Sequence, residues 1–96
     1  MRVTFEPAAR DELDRVFAWI VKDNPRAAFE MVARIEAKVM RLETPELTNM
    51  GRPGLVEGTR ELLEYPYIIV YRVDETQDEI VIVSVVHGAR DREERQ

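Results

Sequence analysis

Apolar positions along this chain follow three different rhythms, and each predicts a different element. From Met1 to Phe5, Val3 and Phe5 alternate with Arg2 and Thr4, the period of a short strand with one buried face. After Glu6-Pro7 the spacing changes: Ala9, Leu13, Val16, Phe17 and Ile20 recur as a core-facing helical stripe, and Pro7 suits its first turn. Glu6, Asp11 and Glu12 place acid near the positive end of that helix dipole. Trp19 lies off the stripe and is expected to flank the neighbouring helix. Asp23-Asn24-Pro25 then stops one helix and starts another, with Asn24 as N-cap and Pro25 at the first helical position. The second helix is expected to run to about Glu43, with Ala28, Met31, Val32, Ile35, Val39 and Leu42 on one face. So short a link makes the pair an antiparallel hairpin. On its polar face, Glu30 and Arg34 are spaced for a helical ion pair.

The third rhythm is an unbroken apolar run, and it occurs twice. Tyr67 to Val73 and Ile80 to Val86 are rich in Ile, Val and Tyr and flank the polar spacer Asp74 to Glu79, which predicts a strand hairpin. Thr59 to Glu64 is a mixed strand that Tyr65-Pro66 turns back into the meander. Between helix and sheet, Thr44 to Gly58 carries little regular signal. Within it Gly51-Arg52-Pro53-Gly54 reads as a tight turn presenting an arginine. The expected fold is therefore α+β: an N-terminal strand, a two-helix hairpin, then a three-stranded antiparallel meander, all in one four-stranded sheet. The first strand is expected beside the last. The domain is taken as residues 1–96, with 91–96 a flexible tail.

That arrangement has a consequence for function. Two helices cover only one face of a sheet, so the other face of the central strand, either Ile68/Val70 or Ile69/Tyr71/Val73, is left exposed. An apolar sheet face on so small a domain marks a place where a partner binds.

Composition narrows the classes. The chain has no cysteine, which removes disulfides, thiolate metal sites and thiol catalysis. Nothing reads as a signal peptide, and no apolar run approaches the roughly 20 residues needed to span a bilayer, so a cytoplasmic location is expected. Fourteen Lys and Arg against 19 Asp and Glu give a net charge of −5, which opposes docking on nucleic-acid phosphates. Arg52, Arg60, Arg72, Arg90, Arg92 and Arg95 still allow a local basic patch in the C-terminal half.

Candidate chemistry is sparse. His87 is the single histidine, and general acid–base work also requires a partner within hydrogen-bond reach. The carboxylates show no paired spacing, there is no metal-ligand or phosphate-loop motif, and no cofactor or metal is expected.

Taken together, Gly51-Arg52-Pro53-Gly54, Gly58-Thr59-Arg60-Glu61-Leu62, Pro66 to Val73 and Val86-His87-Gly88-Ala89-Arg90 closely resemble the RelE/ParE superfamily of bacterial type II toxins, nearer its ParE branch. The resemblance spans nearly the whole chain, since the opening strand and the hairpin with Pro7 and Asn24-Pro25 also fit. It implies a toxin neutralised by a ParD-like antitoxin, whose C-terminal segment wraps the toxin and whose N-terminal part dimerises and binds operator DNA. Plasmid stabilisation is a setting in which such pairs act.

The ParE branch implies inhibition of DNA gyrase and so of replication; the RelE branch implies cleavage of messenger RNA on the ribosome. By the same resemblance Arg60, His87 and Arg90 would carry the chemistry of a ribonuclease. The Lys-rich surface of those nucleases is missing and the net charge opposes ribosomal RNA, so no catalytic residue is expected and gyrase is the expected target. A degenerate toxin kept only for antitoxin binding is a further alternative. The expected antitoxin contacts are Trp19, Leu62, Ile69, Tyr71, Val73, Val83 and Val85, and the expected target contacts are Arg52, His87 and Arg90.

Overall fold

The computed structural model describes residues 1–89; Arg90 and the tail at 91–96 lie outside the described residues. The elements are β1 (Arg2–Phe5), α1 (Pro7–Val21), α2 (Pro25–Met40), β2 (Arg52–Pro53), β3 (Arg60–Glu64), β4 (Tyr67–Asp74) and β5 (Glu79–His87). Local rules account for the helix ends. Pro7 and Pro25 both sit in first turns, and the Asn24 side chain accepts a hydrogen bond from the Ala27 N–H at 3.0 Å. Two short 3₁₀ turns, Arg41–Glu43 and Pro45–Leu47, take the chain away from α2.

The sheet has five strands in the order β1-β5-β4-β3-β2. β1 lies beside β5, as expected, and runs parallel to it from Arg2 opposite Glu79 to Phe5 opposite Ile82. The other pairings are antiparallel. The extra strand is a correction to the four-stranded expectation. Arg52 and Pro53 do not form a tight turn but pair with Glu61 and Arg60. Their cause is non-local. The Gly51 N–H donates to the Tyr71 hydroxyl at 3.1 Å, and that hydroxyl donates to the Thr48 carbonyl at 3.0 Å. A Cβ on Gly51 would lie 2.6 Å from the Glu61 carbonyl oxygen, so only glycine lets the loop close down on β3.

The register assigns the two faces. Leu62, Ile69 and Val85 form one cross-strand row, with Tyr71 opposite Ile82 and Val73 opposite Ile80 beyond it. These side chains join Ala9, Leu13 and Val16 of α1 and Met31, Ile35 and Val39 of α2 in the core. Ile69 is fully buried, which alone contributes roughly 1.5–3 kcal/mol. Among the alternatives the unbroken run left open, Ile69/Tyr71/Val73 therefore turns to the helices and Ile68/Val70 turns away; that second face is not left bare as expected, because Ile68 (4% exposed), Val81 (7%) and Val86 (3%) are buried on it and Val70 is half-buried.

Two smaller details emerge. Trp19 is 60% exposed, with the Lys22 ammonium 5.7 Å from its ring centroid. Arg34 pairs with Glu64 across to β3 at 3.5 Å, and it is Arg26 that pairs with Glu30 within α2.

Candidate functional site

The face of the sheet turned away from the helices carries a groove of about 410 Å³. Its floor is the cross-strand row of Glu61, Val70 and Ser84, with Val86 beside it. A β-bulge then intervenes: Val70 faces Ser84 while Tyr71 faces Ile82, so Val83 has no cross-strand partner. The extra residue brings Val83 into the lining of the groove.

One wall is the segment between β2 and β3. The Gly54 N–H donates to the Thr59 carbonyl at 2.9 Å, and the Thr59 hydroxyl donates to the Val56 carbonyl at 2.6 Å. The closed turn holds Leu55 and Val56 outward, both more than half exposed. The opposite wall is the start of α1, which contributes Ala8 and Glu12. β1 ends at Phe5, opposite Ile82, so among the described residues no strand lies beside the outer edge of β5 beyond that point. There the Glu12 carboxylate accepts from the Ser84 hydroxyl and the Val85 N–H, both at 3.0 Å.

Two carboxylates thus stand in a groove otherwise dominated by valine and leucine. Glu61 has a side chain 2% exposed and accepts from Arg52 Nε at 3.2 Å, while the arginine side chain is 58% exposed. Burying a carboxylate costs several kcal/mol unless hydrogen bonds or an opposite charge compensate. Arg52 supplies both, which explains an arginine on a two-residue edge strand.

The structure separates the residues singled out from sequence. Leu62, Ile69, Tyr71 and Val85 are core residues beneath the helices, so they form no part of a partner surface while the fold is intact. Val73 is half-buried against the same core. Val83 lines the groove, and Trp19 is exposed on α1. Arg52 does not line the groove but holds Glu61, which does. His87 is half-buried at the end of β5 on the helix side, its ring edge-to-face with Tyr67 at 5.6 Å.

Arg60 and His87 do not meet. Arg60 is in register with Tyr71 and His87 with Tyr67, on strands either side of β4. That separates them by roughly 13 Å along the strand direction alone. Arg60 Nε is buried with no hydrogen-bond partner among the described residues. Arg90 lies outside those residues, so the described geometry bears on two of the three groups a nuclease reading needs. Also among the described residues, no three His, Asp or Glu side chains are close enough to hold a metal ion.

Sequence reasoning missed Glu12, Glu61 and Val86 as site residues; Val70 stood in one of its two alternatives for the partner face. Leu55-Val56, an apolar pair between Gly54 and Gly58, was the one local signal available. Glu12 offered none, because its partners on β5 lie far along the chain. A second groove, about 550 Å³, runs between α1 and α2 away from the sheet. Leu13, Phe17, Phe29 and Val32 line it, with the Phe17 and Phe29 rings 4.9 Å apart.

A strand, a helical hairpin and a mixed sheet with both helices on one face define an α+β fold of the RelE/ParE type. Comparison with known proteins gives the family. The model of the ParE toxin of type II toxin-antitoxin systems, parDE, matches residues 3–92, and the chain belongs to this family. It is 40% identical over 89 residues to the protein named "Putative toxin Y4kP" from Sinorhizobium fredii (strain NBRC 101917 / NGR234), covering 91% of this chain and 88% of that one. A chain of the chromosomal ParDE system from P. aeruginosa superposes with a TM-score of 0.80 at 29% identity, covering 91% of this chain and 95% of that one. A chain of the RelBE2 complex from Mycobacterium tuberculosis gives a TM-score of 0.63 at 26% identity, with 90% and 95% covered.

Proposed function

We propose that this toxin acts by binding rather than by catalysis, that a ParD-like antitoxin neutralises it by seating a segment in the open-face groove, and that its target is DNA gyrase. The observation that carries the reading is the groove itself. An apolar concavity on the helix-free side of a small sheet is a docking surface. Family membership supports the toxin assignment, and the ParDE likeness supports a ParD-like partner over other antitoxins. The separation of Arg60 from His87 supports a non-enzymatic mode, because a general acid and base must both reach the reacting atoms. The net charge of −5 also favours a protein target over a ribosomal one. Trp19, Val83, Arg52 and His87 remain proposed contacts, with Val70, Val86, Leu55 and Val56 added by the groove. No described helix is long and apolar enough to cross a membrane, and we place the chain in the cytoplasm, where gyrase works.

The deciding experiment is a supercoiling assay with purified gyrase. The protein is expected to block supercoiling and accumulate cleaved DNA, and to leave messenger RNA intact on translating ribosomes. Cut messenger RNA with normal gyrase would overturn the target. A second reading, RNA cleavage of the RelE type, is favoured by the buried Arg60 Nε, which has no hydrogen-bond partner among the described residues, and by the likeness to RelBE2. Folded Arg60→Ala and His87→Ala variants that still arrest growth would remove it. If induced expression without antitoxin leaves growth unchanged, the chain is instead a degenerate toxin retained for complex formation.

A further inference from the structure

The solvent side of α2 does not read as an ordinary polar helix face. Arg26, Phe29, Ala33, Glu36 and Met40 are all exposed and recur at alternating intervals of three and four, so they form one stripe along the helix. Phe29 is 67% exposed and Met40 50%. That spacing is the seam by which helices pack on one another, yet among the described residues no element covers it. Beside the stripe runs the groove of about 550 Å³ between α1 and α2, to which Leu13, Phe17 and Val32 add apolar lining. The Phe17 ring, edge-to-face at 4.9 Å, steadies the Phe29 ring at the groove's edge.

The stripe is complementary to itself when reversed. Laid antiparallel on a second α2, with the two-fold axis beside Met31, Arg26 comes opposite Glu36 and Phe29 opposite Ala33, and the symmetry repeats both pairs. A parallel alignment would instead set Arg26 on Arg26 and Glu36 on Glu36. In the antiparallel one, Phe29 of the second copy enters the groove over Ala33, a large side chain on a small one, between Leu13 and Val32. The charges agree with the same register. Arg10, Asp14 and Glu36 rim that end of the groove with an excess of acid, and Arg26 of the second copy brings the opposite sign. Arg26 already pairs with Glu30 at 3.6 Å and Arg10 with Glu36 at 3.8 Å, but all four side chains are open to solvent, where such pairs hold little.

We infer that the helix layer is a homodimer interface: two copies pack α2 against α2 antiparallel about a two-fold axis beside Met31, each seating Phe29 in the other's helical groove. Burial of Phe29 supplies the apolar gain, and the two Arg26–Glu36 pairs set the register and exclude the parallel arrangement. The helix layer lies across the sheet from the open-face groove, so the dimer neither uses nor depends on the antitoxin and gyrase readings.

Sedimentation velocity on the purified full chain, from about 1 µM to about 1 mM, reads the dimer directly, and the chain is expected to pass from monomer to dimer across that range. Phe29→Asp is expected to weaken the dimer at least about tenfold. Arg26→Glu and Glu36→Arg are each expected to weaken it about tenfold, because each sets like charges opposite one another twice. The double variant Arg26→Glu/Glu36→Arg brings unlike charges together again only in the antiparallel register. It is expected to recover affinity to within about threefold of the unsubstituted chain. Far-UV circular dichroism on the same samples checks that these surface variants are folded. A chain that stays monomeric at about 1 mM overturns the inference and leaves the helical groove to a partner of another kind. A dimer that Phe29→Asp does not weaken, or a double variant no tighter than either single one, overturns it as well.

Discussion

Ile69 and Val70 are neighbours in sequence and nearly alike in chemistry, yet they occupy different worlds. Ile69 has Leu62 and Val85 as cross-strand partners and shares a core with both helices. Val70 has Glu61 and Ser84 beside it and opens into a groove. The helix side is organised to exclude water and is fully paid for by folding. The other side keeps β-branched residues and two compensated carboxylates where a small domain normally places ordinary polar residues. The packed core lies on one face and the proposed docking groove on the other.

The sharpest way to break the comparison is a pair of truncations. Ile69→Ala is expected to cost about 2–5 kcal/mol, the range for a large-to-small change in a core that cannot collapse. Val70→Ala on the adjacent strand position is expected to cost under about 1 kcal/mol, because the groove is already open. Urea unfolding followed by far-UV circular dichroism reads both, and equal losses would show that the faces are not different in kind.

Tyr71→Phe comes next. It leaves the Gly51 N–H and the Thr48 carbonyl without the hydroxyl that joins them, for an expected loss of about 1–3 kcal/mol. The same unfolding experiment should show a normal m-value, since the sheet itself persists.

On the open face the effect moves from stability to binding. Val70→Asp is expected to weaken a co-purified antitoxin at least about tenfold, near 1.4 kcal/mol, while shifting the unfolding midpoint little. Calorimetric titration of the variant checks it; an unaltered affinity would move the antitoxin site elsewhere, with the helical groove at Phe17 and Phe29 next in line. At the small end, Arg26→Ala removes an exposed helical ion pair and is expected to change stability by less than about 0.5 kcal/mol, measured by thermal melting.

What was legible in the sequence follows from the range of each interaction. The stripe of Ala9, Leu13 and Val16, the Asn24 cap and the β4–β5 hairpin depend on residues a few positions apart, and they fold as their spacing indicates. Which face of β4 is the core was not legible. Ile68, Ile69 and Val70 carry no alternation, and the choice is made by what packs above them. Assigning Leu62, Ile69, Tyr71 and Val85 to a partner surface followed from that ambiguity. β2 was hidden for another reason: its two residues are a strand only because Gly51 closes on Tyr71. Glu12 was the least accessible, since its role exists only where β1 ends and β5 continues.

The parallel pairing of β1 with β5 also sets the order in which the molecule can be completed. Val3 and Phe5 are made first, but the strand they pair with is not available until residue 82 has been synthesised. Contacts between the two ends of a chain are the slow ones to form. The α1–α2 hairpin can assemble early from neighbouring residues, whereas the sheet closes late and in one step. The groove, which needs β3, β4, β5 and the start of α1 together, therefore cannot form until β5 has been synthesised as far as Val86.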